Sequence, residues 1–273
     1  MNKVKFNRRR FLRIGGSLLA VPTGVALAEP YSLDVTRHDV PTPNLPAALT
    51  GLRVAHLTDL HYGRTTPVSI LEETVRQANR LAPDLVVMTG DYVDKEWQHA
   101  EPLARILARL TPRLGVWACL GNHDYWTSAD RVAASLEKIA GVRVLRNAAA
   151  EVAPGLWVAG VEDHLDGVPL LRPISDRVPE GAACLFLVHE PPGVSMVEDR
   201  PWVALSGHTH GGQVRLAGRA LHLPPGMGDF PLSAGWGRFG KARLFVSRGI
   251  GNTGLPIRLN CAPELALHSL RPA

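Results

Sequence analysis

The sequence contains only three cysteines in 273 residues: Cys119, Cys184 and Cys261. So few cysteines cannot form the disulfide framework that stabilises many exported domains. Cys119 and Cys184 lie in apolar runs, which is typical of small buried side chains, whereas Cys261 lies in a loop-like stretch and receives no role. With 45% hydrophobic residues, the chain can bury a large core without disulfides.

The chain also lacks a net positive charge once its first 28 residues are set aside. Its formal charge of +5 comes from 30 basic and 25 acidic residues. The first acidic residue is Glu29, and six basic residues precede it: Lys3, Lys5, Arg8, Arg9, Arg10 and Arg13. The remainder therefore has 24 basic against 25 acidic residues, a net charge of −1. A nearly neutral body gives no reason to expect a nucleic-acid-binding face.

No apolar run in the leader reaches the length of a typical membrane span. The run over residues 14–28 is about fifteen residues long, contains glycines, and ends in Ala26-Leu27-Ala28, a pattern typical of signal-peptide cleavage sites. Residues 7–13 (NRRRFLR) resemble the twin-arginine export motif, the alternative being an ordinary basic n-region. We therefore predict that residues 1–28 are a twin-arginine-type signal peptide, or that residues 11–28 anchor the protein if Ala28 is not cleaved. Either form would place the protein in the periplasm or on the outer face of the cytoplasmic membrane.

The pattern after the leader predicts an extended arm followed by one α/β domain. Residues 29–50 are rich in proline and form the arm, and residues 51–273 form the domain. Strand patterns cover residues 52–57, 84–89, 114–120 and 142–145, and they alternate with helical patterns over residues 69–81, 102–110 and 128–140. This alternation predicts crossover units and a sheet covered on both faces. After residue 151, strand patterns joined by loops rich in glycine and proline predict a second sheet (residues 156–161, 184–188, 202–206, 213–216, 242–247 and 264–268).

Five polar clusters directly follow apolar runs. They are TDLH (residues 58–61), GDYVD (90–94), GNHD (121–124), VHE (188–190) and GHTHGG (207–212). The two histidines of the last cluster are weak support alone, because alternate residues at a strand end can point the same way. Five clusters at strand ends point instead to a ligand site, since the carboxyl ends of strands converge in open α/β folds. Asp, Asn and His suit Mn²⁺, Fe²⁺ or Zn²⁺, and two such ions can hold a phosphate and activate a water molecule.

In this order, the motifs DxH, GDxxD, GNHD, a lone His and GHxH resemble the binuclear metallophosphoesterase (calcineurin-like phosphoesterase) superfamily. The resemblance implies an α/β fold with two packed mixed β-sheets flanked by helices, a four-layer α/β/β/α sandwich. Residues 247–254 and 258–264 further resemble a subgroup of twin-arginine-exported or membrane-associated phosphodiesterases and UDP-2,3-diacylglucosamine hydrolases.

The resemblance also implies roles for individual residues. It implies two divalent metal ions (Mn, Fe or Zn) with these ligands: Asp59, His61 and His210 for one ion, Asn122, His189 and His208 for the other, and Asp91 as a bridge. A metal-bound hydroxide would attack the phosphorus atom. His123 would face the phosphate and stabilise the transition state or protonate the leaving oxygen. Asp124, where many relatives carry Glu, would orient His123.

Three aspartates at the strand ends have more than one possible role. Asp59 and Asp91 would cap helices or form turns if they bound no metal. Asp94, which closes the GDxxD motif, would either hold its loop in place or orient a neighbouring group, and the former is favoured.

Metal chemistry predicts phosphate ester hydrolysis, and the subgroup favours a phosphodiester or pyrophosphate over a monoester. The export signal favours an envelope substrate, either a small molecule or a lipid, with peripheral membrane contact. The loops over residues 163–180 and 222–241 would form a lipid-facing rim or close the core of the second sheet. The alternatives are a UDP-2,3-diacylglucosamine pyrophosphatase of lipid A synthesis and a non-catalytic envelope protein that binds metal and phosphate.

Overall fold

Strands and helices alternate along residues 29–273, the part of the chain that the computed structural model describes. The predicted leader, residues 1–28, lies outside this part. The strands are β1 (Asp34–Thr42), β2 (Arg53–Leu57), β3 (Leu85–Thr89), β4 (Val116–Cys119), β5 (Arg143–Val144), β6 (Ala148–Ala153), β7 (Leu156–Gly160), β8 (Ala183–Leu187), β9 (Val203–Ser206), β10 (Arg215–Leu216), β11 (Arg219–Ala220), β12 (Gly235–Phe239), β13 (Ala242–Val246) and β14 (Glu264–Pro272). The α-helices are α1 (Val68–Arg80), α2 (Ala100–Leu107), α3 (Asn122–Thr127), α4 (Ala129–Ala140) and α5 (Arg172–Ser175). Among these described helices, none is long and apolar enough to span a bilayer.

The first sheet has the order β1-β14-β2-β3-β4-β5. Strands β2 to β5 run parallel, as the alternation of strands and helices predicts. Strand β14, predicted in the second sheet, lies instead in the first, because it pairs with β1 and runs antiparallel to β2. All five residues of β3 are buried, because helices cover one face of the sheet and the second sheet covers the other. The strands and helices predicted for residues 52–145 are confirmed, with ends displaced by three residues or fewer.

The predicted arm is extended, but it belongs to the first sheet. Strand β1 pairs in parallel with β14 along its whole length, from Asp34 opposite Glu264 to Thr42 opposite Pro272. Hydrogen bonding to β14 makes it an edge strand, so the description of residues 29–50 as an arm that leads into the domain needs this correction.

The second sheet has the order β12-β13-β9-β8-β7-β6 and is also mixed. Its edge strands β6 and β12 are absent from the sequence prediction, because an alanine-rich segment and a glycine-containing segment carry little strand preference. Both are held by antiparallel pairing with a neighbouring strand. The strand predicted over residues 213–216 is only the two-residue β10, which forms a separate hairpin with β11.

Three apolar layers separate the sheets and helices. Ile70 of α1 packs with Met88 of β3 between the helices and the first sheet. Val87 of β3 and Leu185 of β8 lie in the layer between the two sheets. Phe186 of β8 lies in the third layer, on the outer face of the second sheet, together with Ile174 of α5. The predicted fold of two packed mixed sheets flanked by helices is confirmed, and its parallel strands from both sheets end at one common edge.

Candidate metal centre

Seven side chains meet at this common edge of the two sheets. Asp59 and His61 follow β2, Asp91 follows β3, Asn122 begins α3 directly after β4, His189 follows β8, and His208 and His210 follow β9. All seven residues are buried. The structure therefore brings together, from both sheets, every residue that the sequence analysis assigns as a metal ligand.

The first group of donors comprises Asp59, His61 and His210. The Nε2 atoms of His61 and His210 lie 3.0 Å apart. The Oδ1 atom of Asp59 lies 3.4 Å from His210 Nε2 and 4.0 Å from His61 Nε2. Three donor atoms thus face one small volume, as an ion held by nitrogen and oxygen ligands requires.

The second group comprises Asn122, His189 and His208, with Asp91 between the two groups. The Oδ1 atom of Asn122 lies 3.2 Å from both His189 Nε2 and His208 Nδ1. The Oδ2 atom of Asp91 lies 3.3 Å from His189 Nε2 in this group and 3.4 Å from His61 Nε2 in the other. One carboxylate oxygen therefore faces both groups, the position that a bridging ligand needs.

Hydrogen bonds to backbone carbonyls determine which ring nitrogens of the second group face inward with a lone pair. His189 Nδ1 lies 2.6 Å from the carbonyl oxygen of Thr89, and His208 Nε2 lies 2.9 Å from that of Pro225. Because a carbonyl only accepts, these two nitrogens carry the protons and donate them. His189 Nε2 and His208 Nδ1 are then free to bind a cation, the usual arrangement around metal-ligating histidines.

The protonation of two of the site histidines also suits cations, whereas, against the effect of burial, the Asp91 carboxylate raises the pKa of His189. Burial lowers the pKa of His61 to about 3 and that of His208 to about 4, so both imidazoles are neutral donors near pH 7. Burial raises the pKa of Asp59 to about 6, which a bound cation would reverse by stabilising the carboxylate. The residues therefore fit divalent metal ions, and this donor set is compatible with Mn²⁺, Fe²⁺ and Zn²⁺ alike.

Five of the seven residues adopt a left-handed backbone conformation. The φ angles of Asp59, His61, Asp91, His208 and His210 lie between 41° and 68°. This conformation is unfavourable for most residues other than glycine, and residues that adopt it cluster at functional sites, where the surrounding structure compensates for the strain. The tight turns at these positions direct side chains from separate strand ends into one centre.

Two glycines leave room for Asp59. A Cβ atom on Gly207 would collide with Asp59 Oδ2 and with the Thr58 side chain, and one on Gly249 would lie 2.8 Å from Asp59 Cβ. Gly249 also has a φ of 67°. The carboxylate in turn accepts hydrogen bonds from the backbone N–H of His208 at 3.0 and 3.1 Å, which joins the loop after β2 to the loop after β9.

The structure corrects the role predicted for Asp124. Its carboxylate accepts hydrogen bonds from the backbone N–H groups of Asp91 (3.0 Å), Tyr92 (2.9 Å) and Gly121 (2.9 Å), so it joins the loops after β3 and β4. A carboxylate directed at these backbone donors does not orient the His123 ring. The Asp124 side chain therefore acts on the backbone that positions Asp91.

The backbone carbonyl of Asp94 orients the His123 ring. His123 Nδ1 donates to the backbone carbonyl of Asp94 at 2.7 Å, and the Asp94 carboxylate lies 3.8 Å away. The His123 backbone N–H donates to Asp91 Oδ1 at 2.9 Å, which also directs the other oxygen of Asp91 toward the donor groups. The GDxxD motif favoured a loop role for the Asp94 side chain over an orienting role, and a contact made by the backbone of Asp94 is not visible in the motif.

Arg258 is a buried residue within the 258–264 stretch, whose sequence pattern gave it no individual role. Its guanidinium donates to the carbonyl oxygens of Arg248, Gly249, Gly251 and Cys261. The same group lies 3.4 Å from His210 Nδ1. It therefore organises the loop around residues 248–261 behind the Asp59 group of donors. No local pattern reveals this, since arginine is more often exposed.

An open cavity of about 380 Å³ adjoins the donor groups. Asp91, Asn122, His123, His208 and His210 form its base, and its walls include Trp126, Leu165, Pro224 and Pro225. Trp126 packs on His123 with ring centroids 4.4 Å apart, and its Nε1 donates to Asp166 at 2.7 Å. A substrate held at the donor groups would therefore touch His123 and an apolar wall at once.

A buried cluster of Asp, Asn and His that opens into a cavity is the arrangement that a metal-dependent hydrolase needs. Comparison with known proteins agrees with this class: residues 52–212 match the calcineurin-like phosphoesterase family. The chain belongs to this family and is a metallophosphoesterase.

Three relatives illustrate the range of the family. The chain is 29% identical to an uncharacterized metallophosphoesterase, YkuE, of Bacillus subtilis (strain 168), over 98% of each chain. It is 30% identical to the phosphodiesterase YaeI of Escherichia coli (strain K12), over 97% of this chain and 99% of the relative. It is 29% identical to the UDP-2,3-diacylglucosamine pyrophosphatase LpxG of Chlamydia trachomatis serovar D, over 88% of this chain and 89% of the relative.

Proposed function

We propose that this protein is an exported, metal-dependent hydrolase of a phosphodiester or pyrophosphate bond in an envelope substrate with an apolar substituent. The cavity carries this proposal. Its lining residues include no lysine or arginine within the described part of the chain, whereas Trp126, Leu165 and two prolines form much of its wall. A phosphate monoester, with its second negative charge, favours cationic donors, while a diester brings a second substituent that an apolar wall can contact.

The residues around the donor groups have distinct tasks in such a reaction. Two divalent ions, when bound, would polarise the phosphate and lower the pKa of a water molecule. Asp91 holds one oxygen toward both donor groups while its other oxygen accepts from the His123 backbone. Because His123 Nδ1 donates its proton to the Asp94 carbonyl, Nε2 can donate to the leaving oxygen only when the ring carries a second proton, so His123 would act as an imidazolium and become neutral as the leaving oxygen is protonated. Trp126, packed on His123, limits the positions that the leaving group can occupy.

The first test compares bis(p-nitrophenyl) phosphate with p-nitrophenyl phosphate. The protein is freed of metal, reloaded with Mn²⁺, Fe²⁺ or Zn²⁺ in separate samples, and compared with Asp91→Ala. We expect faster diester turnover that depends on added metal and falls more than about 100-fold in Asp91→Ala. Faster monoester turnover would overturn the diester assignment, and the metal that restores most activity would identify the preferred ion.

The relationship to LpxG favours a second candidate, hydrolysis of UDP-2,3-diacylglucosamine. The two candidates differ in the compartment of the substrate, which is cytoplasmic for the nucleotide lipid. The leader predicts export, so we expect the domain on the outer side of the cytoplasmic membrane. Protease protection in spheroplasts would decide: an intact domain after external protease would favour the nucleotide lipid, and digestion would exclude it.

A non-catalytic role as a metal-binding envelope protein is the third possibility. His123→Ala separates it from the enzyme, because His123 is not among the proposed metal ligands. We expect this variant to retain its metal content while losing turnover. Wild-type protein that binds two metals and hydrolyses neither the diester, the monoester nor UDP-2,3-diacylglucosamine would favour the binding role.

A further inference from the structure

Large apolar side chains are exposed around the mouth of the cavity. Trp126 and Leu165 line the cavity, and Leu221 and Leu255 each neighbour a lining residue in the chain. Leu216 lies in the adjoining hairpin of β10 and β11. These five residues, here called the rim, are between 41% and 64% exposed. A cluster of exposed apolar side chains around a functional opening marks a contact surface.

Backbone contacts hold part of the rim directly against the cavity. Gln213, a lining residue, donates from Nε2 to the carbonyl of Leu255 at 3.3 Å. The N–H of Leu221 donates to the carbonyl of Val214 at 3.0 Å, next to Gln213. Leucines from two separate segments of the chain are therefore fixed on one side of the opening.

The described part of the chain begins beside this surface. The carboxylate of Glu29 accepts hydrogen bonds from the backbone N–H groups of Asn260 (2.8 Å) and Cys261 (2.7 Å). The Asn260 side chain donates to the carbonyl of Arg215 at 3.1 Å, next to Leu216 in the rim. The leader, whose apolar run covers residues 14–28, therefore joins the domain on the rim side.

We propose that the rim contacts a lipid bilayer, so that the cavity mouth lies against the headgroup region and the substrate phosphate belongs to a membrane lipid. This inference rests on the proposed phosphodiesterase function and names its substrate class. Burial of exposed leucines in the interface favours such contact. A leader that enters the same bilayer would hold the domain with its rim toward the membrane.

The size of the cavity agrees with a substrate that stays in the membrane. Its volume of about 380 Å³ is at the small end for ligand cavities, which suits a headgroup with its phosphate. Acyl chains would then remain in the bilayer while the phosphate reaches the donor groups. A bilayer also explains why apolar side chains surround the opening and continue beyond the cavity wall at Leu216, Leu221 and Leu255.

The test measures which face of the full-length protein enters the bilayer. Leu221→Cys and Leu255→Cys are labelled with an environment-sensitive dye and mixed with vesicles of phosphatidylethanolamine and phosphatidylglycerol. The matched control is Glu180→Cys, an exposed position just before the amino end of β8, at the end of the sheet away from the site. The three native cysteines are buried, so the introduced thiol reacts selectively.

We expect a blue shift of dye emission at the two rim positions and none at the control position. A protein that floats with the vesicles without a shift at either rim position would show that the leader alone tethers it, and would overturn the inference. Equal shifts at all three positions would also overturn it, because they would indicate aggregation. Shifts with native membranes but not with protein-free vesicles would identify a protein partner and exclude direct lipid contact.

A second measurement uses flotation of Leu221→Ser combined with Leu255→Ser in the protein cleaved after Ala28, because a leader that enters the bilayer would hold the full-length protein there without the rim. We expect the partition into vesicles to weaken by roughly tenfold for each leucine removed. Unchanged partition would contradict membrane contact by these leucines. Turnover of bis(p-nitrophenyl) phosphate by the unsubstituted protein in the absence of vesicles tests the proposed function separately, so failure of either hypothesis can be recognised.

Discussion

Replacing His268 in the core between the two sheets should make the protein more resistant to acid. His268 is 1% exposed, and neither of its ring nitrogens has a hydrogen-bond partner among the described residues. Its ring centroid lies 5.3 Å from that of His38 and 6.0 Å from that of His56. Burial, followed by the proximity of these two histidines, holds the pKa of His268 well below its usual range. We predict that His268→Leu removes a pH-dependent loss in the free energy of unfolding, because leucine is apolar and similar in size to histidine.

The sign and size of the effect follow from proton binding. In the unfolded chain His268 has a pKa of about 6.5, while in the fold it stays neutral, so the unfolded state binds more protons below that pH. Its contribution to the free energy of unfolding is therefore complete above pH 6.5 and falls by about 1.4 kcal/mol per pH unit below it. Between pH 7.5 and pH 5.0 the loss from this one histidine is about 2 kcal/mol.

The assay is urea unfolding at pH 7.5 and pH 5.0, followed by tryptophan fluorescence, with metal removed so that the site histidines contribute equally to every variant. The matched control is Phe245→Leu, because the Phe245 ring lies 4.8 Å from His268 and its loss weakens packing without removing an imidazole. We expect wild type and Phe245→Leu to lose about 2 kcal/mol more than His268→Leu between the two pH values. Equal losses in all three proteins would refute the reasoning.

Four further substitutions test the site. Gly207→Ala should displace Asp59 and lower the metal content after dialysis, measured by atomic emission. Full retention of metal would contradict the close approach of Gly207 to the Asp59 carboxylate. Arg258→Met should lower the free energy of unfolding by more than about 3 kcal/mol, because several carbonyl groups lose their buried donor; a smaller change in urea unfolding would count against this role. Trp126→Ala should lower kcat/KM roughly tenfold for a diester with an aryl leaving group and have little effect on a methyl diester; equal effects on the two would argue against a contact with the leaving group. His123→Ala should lower kcat at least about 100-fold, and unchanged kcat would exclude a role in proton transfer.

The sequence was sufficient where local pattern and structure coincide. Strand β3 is a continuous apolar run buried on both faces, and Gly90 and Asp91 follow it directly. A strand of this kind can be predicted because its periodicity and its end lie within a few residues. The same reasoning gave the residue types at the strand ends, and with them a metal site and a phosphoesterase family, but not the atoms that face one another.

Edge strands and orienting contacts depended on distant partners. Strand β1 is a strand because β14, more than 200 residues later, pairs with it. The orientation of His123 by Asp94, and not by Asp124, depends on how the loop after β3 lies against α3. Neither contact leaves a local pattern, because each couples segments that are separate in the sequence.

The sequence by itself determined the composition of the site: the order of its motifs, the parallel strands that carry them, and the nitrogen and oxygen donors suited to divalent ions. Only the tertiary structure decided that Asp91 faces both donor groups, that five ligand residues adopt left-handed backbone, and that exposed leucines lie beside the cavity mouth. The physical reason is the separation along the chain of the residues that each feature depends on. Apolar periodicity and residue chemistry act over a few neighbouring residues, whereas donor geometry and surface clusters arise only when the two sheets pack together.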